Sequence, residues 1–312
     1  MHQKPFAKAI IPDLLLIAVA ATWGGSYLSA KNLVAATDVN TALTLRYGVA
    51  LAGMLIFLFI RRSVTLNRHV LLLGVGLGLS QAAILWLETS GVRLTSSSNA
   101  GVLISLSLIL TPLLEVLVLR RVLPKVFYLM ALLGMLGAVL LASGSGLRMP
   151  GAGDLFVIVA ALVRAGHVIA TAKFLKEGDD LPLIISLQIF SGLVIFTGLS
   201  APNLVVNIVR MDESAWADAI FLGLACSVFA FLVQAWAVRR SSAARVSLLM
   251  GTEPIWAVAI GVSLGGEFIG PVQAAGIAFI VAATIFGARI ERRARERRML
   301  PPVETGDKIE AA

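Results

Sequence analysis

The residues best suited to bind a charged ligand lie deep inside a long apolar run. The stretch "DLFVIVAALVRAGHVIATAK" (154–173) places Arg164 and His167 three residues apart, a spacing that makes side chains neighbours on a helix surface. A guanidinium can hold a carboxylate through two parallel hydrogen bonds. We therefore consider two roles for Arg164, which do not exclude each other: it binds a substrate carboxylate, or it forms an ion pair with Glu253 that joins two helices.

A carboxylate and a proline stand together in another apolar run, at Glu253 and Pro254. Proline inside a helix removes one backbone donor and crowds the preceding turn. Glu253 is accordingly interpreted either as a ligand for a substrate ammonium group or a coupled proton, or as part of a structural kink. Pro112 occupies the equivalent place in an earlier run, where Thr111 precedes it instead of a carboxylate. Both prolines are candidate hinges.

Aromatic and amide side chains complete a candidate binding cavity. Trp23 and Tyr27 are four residues apart on one helix face, and Gln81 lies in the middle of its apolar run. Anchoring at the membrane interface is the alternative for the tryptophans, and helix–helix hydrogen bonding is the alternative for Gln81. The predicted substrate-binding set is Trp23, Tyr27, Gln81, Arg164, His167, Glu253 and Trp256.

Three further charged residues, Lys31, Arg46 and Glu88, fall toward the ends of their runs. Snorkelling or salt bridging at the membrane interface is the simpler explanation for them. The sequence has no HExxH, no glycine-rich phosphate loop and no nucleophile elbow, and its three histidines and one cysteine offer no metal-ligand spacing. We therefore expect no metal and no cofactor, and we disfavour a membrane-embedded enzyme or a scaffold.

The elements that position these residues are predicted to be transmembrane helices. Hydrophobic residues make up 58% of the chain and charged residues 14%, whereas soluble domains are roughly 45–50% apolar and about 25% charged. Each apolar window is long enough to cross a hydrocarbon core of about 30 Å, where the backbone must be helical. The fold predicted is an all-α integral membrane protein with ten transmembrane helices, near residues 13–35, 40–60, 70–91, 97–119, 125–145, 154–175, 181–200, 217–238, 244–265 and 271–289.

The basic residues alternate along the chain in a way that predicts membrane orientation. If the N-terminus is cytoplasmic, 20 of the 26 lysines and arginines fall on inner connections and the tail, and only Arg93, Arg148 and Arg210 fall on outer ones. This asymmetry is what the positive-inside rule predicts for an even number of helices with both termini in the cytoplasm. The net charge of +8 is thereby explained without a nucleic-acid partner.

The chain also contains a weak internal repeat. Asp13 corresponds to Asp154, and Pro112 to Pro254, at offsets of 141 and 142. We predict a first five-helix repeat over residues 1–148, a second over 149–290, and a basic, disordered cytoplasmic tail over 291–312. Since five is odd, the second repeat must have the opposite orientation. Inverted repeats are typical of secondary transporters, whose site lies between the repeats near the bilayer midplane.

Four stretches carry a resemblance to a known family: "WGGSYLSAK" (23–31), "LRYGVA" (45–50), "GDLFVIVAAL" (153–162) and "SSAARVSLLMGTEPIWAVAIGVSLGGE" (241–267). They resemble the EamA-type transporters of the drug/metabolite transporter superfamily. The resemblance implies an inner-membrane exporter of small metabolites with ten helices in two repeats, of which helices 5 and 10 are peripheral. YddG-like bacterial amino-acid exporters are the best-fitting subgroup. Arg164 departs from the family pattern, in which its position is usually apolar or aromatic.

The function predicted from these observations is export of small zwitterionic metabolites by alternating access, with amino acids, aromatic and hydrophobic ones included, as the first choice. The expected partners are this small-molecule substrate and the lipid bilayer. Export of drugs or cationic compounds is the alternative, in which Glu253 would dominate recognition and Arg164 would oppose it. The sequence indicates no particular oligomeric state.

Overall fold

A computed structural model describes residues 5–62, 64–95, 97–120, 123–143, 151–265 and 270–299. All regular elements in these ranges are helices. The first half contains α1 (Pro5–Ala36), α2 (Val39–Arg61), α3 (Arg68–Leu94), α4 (Ser97–Ile104), α5 (Ser107–Leu119) and α6 (Lys125–Ser143). The second half contains α7 (Ala152–Phe174), α8 (Leu181–Ser200), α9 (Leu204–Arg210), α10 (Glu213–Gly223), a π-helical segment (Leu224–Phe229), α11 (Ala230–Arg240), α12 (Ala243–Met250), α13 (Glu253–Gly265) and α14 (Pro271–Met299).

Seven helical stretches within the described ranges are long and apolar enough to cross a membrane. They are α1, α2, α3, α7, α8, the continuous α10–π–α11 stretch and α14. The prediction of an all-helical, multi-pass membrane protein is therefore confirmed. The regions predicted near 97–119 and 244–265 are each divided into two short helices, α4–α5 and α12–α13.

Side-chain hydrogen bonds lie at both of these breaks, and a proline lies at the second. The Ser105 hydroxyl donates to the Gly101 carbonyl (2.9 Å), and the Thr252 hydroxyl donates to the Leu249 carbonyl (3.0 Å). Such bonds compete with the backbone ladder of a continuous helix. Pro254, the second residue of α13, also lacks the N–H that would continue the ladder from α12, and proline is tolerated at this position because the first helical donors have no partner anyway. The break thus precedes Glu253 rather than following it.

Glycines let the long helices approach each other closely. A Cβ on Gly78 of α3 would lie 2.8 Å from the Gln188 carbonyl oxygen of α8, and one on Gly137 of α6 would lie 2.6 Å from the Gly276 carbonyl oxygen of α14. Small residues at such contacts are a common device of membrane helices. α3 is thereby held against the second half of the chain, and α6 and α14 pair with each other.

The two ends of the bundle are closed by different interactions. At the end predicted to be cytoplasmic, Arg61 pairs with Asp180, and Arg245 binds Asp13 (2.7 Å). Burial would raise the pKa of Asp180, but hydrogen bonds from Arg61 and from the Thr65 and Leu183 amides bring that pKa below its ordinary value. At the opposite end the contacts are hydrogen bonds of neutral donors, such as the 2.6 Å bond from the Thr95 hydroxyl to the Asp154 carboxylate.

The C-terminal helix is longer than the sequence predicts. α14 continues to Met299, past the boundary at residue 290 where the tail was expected to begin. Arginine and glutamate, which dominate this segment, are good helix formers and can pair one turn apart. Residues 300–312, the remainder of the predicted disordered tail, lie outside the described residues, as does the Gly266–Glu267 pair of the family resemblance.

Candidate functional site

An ion cluster around Arg164 joins three helices in the interior of the bundle. Arg164 lies on α7 and donates a hydrogen bond from each of its two terminal nitrogens. One goes to Glu88 of α3, and the other goes to Glu253 at the start of α13, at 3.2 Å. The three side chains are only 12%, 9% and 4% exposed, respectively. The interhelical ion pair considered for Arg164 and Glu253 is therefore formed. Glu88 joins it, although the sequence pattern favoured a membrane-interface position for Glu88.

Two aromatic residues of α1 complete the surroundings of this cluster. The Tyr27 hydroxyl donates a hydrogen bond to the carboxylate oxygen of Glu253 that Arg164 does not contact. The Trp23 ring faces the Arg164 guanidinium, with 4.9 Å between the guanidinium carbon and the ring centroid. A cation over an indole face gains electrostatic stabilisation. Both aromatic residues predicted on this helix face thus contact the charged groups directly.

Arg46 of α2 forms a second cationic centre, next to the π-helical segment. Its Nε donates to the Ser227 hydroxyl at 2.9 Å, and its Nη2 donates to the Cys226 carbonyl at 3.3 Å. The side chain is buried, with 5% exposure. Among the residues described, no carboxylate pairs with Arg46. Snorkelling, which the sequence favoured for Arg46, does not fit this burial, because α2 turns the side chain toward the interior of the bundle.

A backbone carbonyl of the π-helical segment accepts hydrogen bonds from two side chains of the site. The Ser227 hydroxyl donates to the Leu222 carbonyl (2.9 Å), while the Cys226 carbonyl accepts from both Arg46 and the Trp23 indole N–H, the latter at 2.9 Å. Short π-helical turns within α-helices occur frequently at functional sites. Hydropathy alone gives no signal for this segment.

A small, partly open cavity lies between these groups. Charged, aromatic, amide, hydroxyl and aliphatic side chains all contribute to its wall, which includes Trp23, Ser26, Tyr27, Arg46, Gln81, Leu85, Glu88, Thr89 and Arg164.

A second small cavity lies beside the two broken helix pairs. Arg164 and Glu253 contribute to its wall together with Thr111, Ser247 and Gly251. The Thr111 hydroxyl is buried and has no hydrogen-bond partner among the described residues. Since Arg164 lines both cavities, its ion cluster separates one polar space from the other.

The remaining predicted residues lie elsewhere. His167 shares a 2.7 Å hydrogen bond with Ser80 of α3 and lines a different cavity, between α7, α8 and α11. Trp256 is half-buried on α13, where its Cβ borders Gly24, and it does not line the described cavities. Pro112 lies inside α5. The binding roles and the hinge roles stay predictions.

Within the described ranges, no group of three or more His, Cys, Asp or Glu side chains is arranged to hold a metal ion. What the described part of the chain does contain is a set of apolar membrane-crossing helices around a buried, charged cavity. This combination defines a polytopic membrane protein with a charged, polar interior.

The chain belongs to the EamA-like transporter family, whose model matches residues 10–143 and again residues 151–288. An uncharacterized transporter of Archaeoglobus fulgidus is 23% identical to it over 283 residues, which cover 89% of this chain and 86% of that protein. A solved crystal structure with 19% identity has a TM-score of 0.70 and covers 90% of this chain and 97% of that chain, which shows the shared fold. The protein is thus a membrane transporter, and the family predicted from the sequence is confirmed.

Proposed function

We propose that the protein is a secondary transporter that exports small zwitterionic metabolites, foremost amino acids, across the bacterial inner membrane. The observation that carries this proposal is the cavity lined by Arg46, Glu88 and Arg164, the last of which also binds Glu253. Charged groups inside a membrane are costly, and they mark substrate pathways when they face a cavity. Groups of both signs in one cavity suit a solute that carries both charges.

The proposed architecture has ten spans in two inverted repeats, 1–148 and 149–290. α4–α5 and α12–α13 then each make one discontinuous span, and these occupy equivalent places in the two halves. Discontinuous helices in corresponding positions of two repeats are typical of transporter binding sites. The two separate matches to the family model support the repeat boundaries.

The proposed mechanism is alternating access between the two repeats. Arg164 belongs to the second repeat and Glu88 to the first, so this part of the ion cluster crosses the repeat interface. At the end that we place in the cytoplasm, the Arg61–Asp180 and Arg245–Asp13 pairs also cross it. Each of these two pairs has one partly exposed side chain, Arg61 at 36% and Asp13 at 26%. Such pairs can close one end of the protein and still separate during transport.

The alternative function, export of drugs or cationic compounds, is favoured by one feature of the site. Two carboxylates, Glu88 and Glu253, surround the single guanidinium of Arg164, and Trp23 and Tyr27 lie beside them. Carboxylates together with aromatic faces recognise organic cations. The buried charge of Arg46 opposes such ligands, and we therefore rank this function second.

Counterflow into proteoliposomes tests the proposal. The purified protein is reconstituted and loaded in turn with amino acids, nucleobases and quaternary amines, and uptake of the labelled solute is followed against protein-free vesicles. We expect exchange of amino acids and loss of that exchange in Glu253→Gln. Exchange confined to quaternary amines would replace the proposed function with the alternative.

A further inference from the structure

We propose that Arg46 binds the carboxylate of the substrate, while Glu88, the cavity-lining carboxylate of the cluster that it forms with Arg164 and Glu253, receives its ammonium group. This inference rests on the proposed function, since it assigns the two charged groups of a zwitterion to two walls of the same cavity. It transfers the carboxylate-binding role predicted for Arg164 to a residue that the sequence pattern placed at the membrane interface.

The first argument is that Arg164 is already occupied. Its two terminal nitrogens donate to Glu88 and Glu253, which are both carboxylates and both buried. The positive charge of Arg164 is thus already offset by two carboxylates, and a substrate carboxylate would either add a third negative charge there or displace one of these glutamates and leave it unpaired. Removing one partner from a buried ion pair is strongly unfavourable.

The second argument is that Arg46 has unused N–H donors and no paired carboxylate among the described residues. A guanidinium carries five N–H donors, and the hydrogen bonds of Arg46 use Nε and Nη2 on two neutral groups, Ser227 and Cys226. Nη1 donates to none of the residues that the structure describes. A buried cation without a counter-charge is costly, and a bound carboxylate would remove that cost. Arg46 also lines the cavity, as Glu88 does.

The third argument is the balance of charge. With both glutamates ionised, the cluster of Arg164, Glu88 and Glu253 carries one net negative charge, and Arg46 carries one positive charge. The four charges therefore sum to zero, but the net negative charge of the cluster and the positive charge of Arg46 lie on different helices. An amine without a carboxylate would leave Arg46 unpaired, and a carboxylate without an amine would leave the cluster unpaired. A zwitterion satisfies both.

Trp23 connects the two charged centres. Its ring faces the Arg164 guanidinium carbon at 4.9 Å, and its indole N–H donates to the Cys226 carbonyl, which also accepts from Arg46. A ligand that lies along this indole ring therefore meets both centres. The aliphatic wall formed by Leu85 and Val92 is available to an apolar side chain of the ligand.

The experiment compares phenylalanine with 2-phenylethylamine, which has the same ring and ammonium group but no carboxylate. Dissociation constants of both labelled ligands are measured for purified wild type, Arg46→Gln and Arg46→Lys. A hydrogen bond to a charged group contributes enough that Arg46→Gln should weaken phenylalanine binding about tenfold to a hundredfold. Binding of 2-phenylethylamine should be unchanged or tighter, because the cavity becomes net negative.

Two further variants make the comparison specific. Arg46→Lys keeps the charge but not the planar fork, so it should restore part of the phenylalanine affinity. Arg93→Gln, on the exposed end of α3, is the matched control and should alter neither constant. If Arg46→Gln does not yield folded protein, Arg46→Lys still carries the test, since it should weaken phenylalanine binding severalfold and leave 2-phenylethylamine binding unchanged.

Equal weakening of both ligands, or no weakening of either, in the folded Arg46 variants would overturn the assignment of Arg46 and leave the proposed function standing. Wild-type protein that binds 2-phenylethylamine but not phenylalanine would contradict the proposed function itself, whatever the Arg46 variants do. The two failures are therefore distinguishable in one set of measurements.

Discussion

The ion cluster makes a specific prediction about stability: Arg164→Gln should destabilise the protein, and a second change, Glu88→Gln, should restore much of the loss. Arg164 is the cation that both Glu88 and Glu253 contact, and all three side chains are at most 12% exposed. Arg164→Gln leaves two buried carboxylates without their cation. The double variant removes one of those carboxylates and places two neutral amides where they can hydrogen-bond to each other.

The expected loss of stability in Arg164→Gln follows from the burial of the ion pairs that Arg164 forms. Breaking a buried ion pair by removing one partner costs about 3–5 kcal/mol. For a domain of this approximate size that loss lowers the melting temperature by on the order of 10 °C. The double variant should recover roughly 0.5–3 kcal/mol of that loss, the range by which contacting residues couple.

The assay is thermal unfolding of the purified protein in detergent, with the wild type and all single and double variants measured in one buffer. Arg93→Gln serves as the control for loss of an exposed arginine and should melt with the wild type. A double variant that melts no higher than Arg164→Gln would refute the reasoning, because the destabilisation would then not come from unpaired carboxylates.

Two further predictions concern helix packing and pH. Gly78→Ala should destabilise the protein by about 1–3 kcal/mol, because the added Cβ would lie 2.8 Å from the Gln188 carbonyl oxygen. The control is Gly76→Ala, whose Cβ would meet nothing within 4 Å and which should leave thermal unfolding unchanged. Equal shifts of the melting temperature in the two variants would contradict the packing. Because hydrogen bonds from Arg61 and two amides lower the folded-state pKa of Asp180, this group stabilises the fold above its ordinary pKa of about 3.9, and that contribution is lost as the pH falls through the lowered value. The difference in melting temperature between wild type and Asp180→Asn should accordingly shrink on acidification, and a difference independent of pH would show that the carboxylate charge is not involved.

Composition and burial rules were sufficient to predict part of this structure. Long apolar windows predicted helices that cross a membrane, because backbone groups in lipid must pair within the helix. The cost of a charge in the membrane predicted that Arg164 would need an acidic partner, and Glu253 is one of the two it has. Trp23 and Tyr27 on one face of α1 both reach the cluster, as a spacing of four residues suggests.

The positions of Arg46 and Glu88 could not be predicted from their distance to the helix ends. Depth along a helix does not determine which side of the helix faces the interior, and that side is set by contacts between distant parts of the chain. The Arg46 side chain meets the π-helical segment some 180 residues further on, whose altered pairing has no hydropathy signal.

His167 illustrates a limit of helical spacing. Residues three apart are neighbours, yet at 3.6 residues per turn they point about 60° apart. In α7 this difference is enough to direct Arg164 toward Glu88 and Glu253, while His167 reaches Ser80 on another part of α3. The direction each side chain takes depends on how α7 packs against its neighbours.

The central claim, that a solute occupies the cavity between Arg46 and the Arg164 cluster, is tested most directly by the accessibility of Ser26 on its wall. The single native cysteine, Cys226, is replaced by alanine, and Ser26→Cys is introduced into that background. The rate of modification by a membrane-impermeant, water-soluble thiol reagent is then measured with and without phenylalanine. We predict modification that phenylalanine slows in a concentration-dependent way. A thiol that the reagent never reaches, or one that it modifies at the same rate with saturating phenylalanine, would contradict the account.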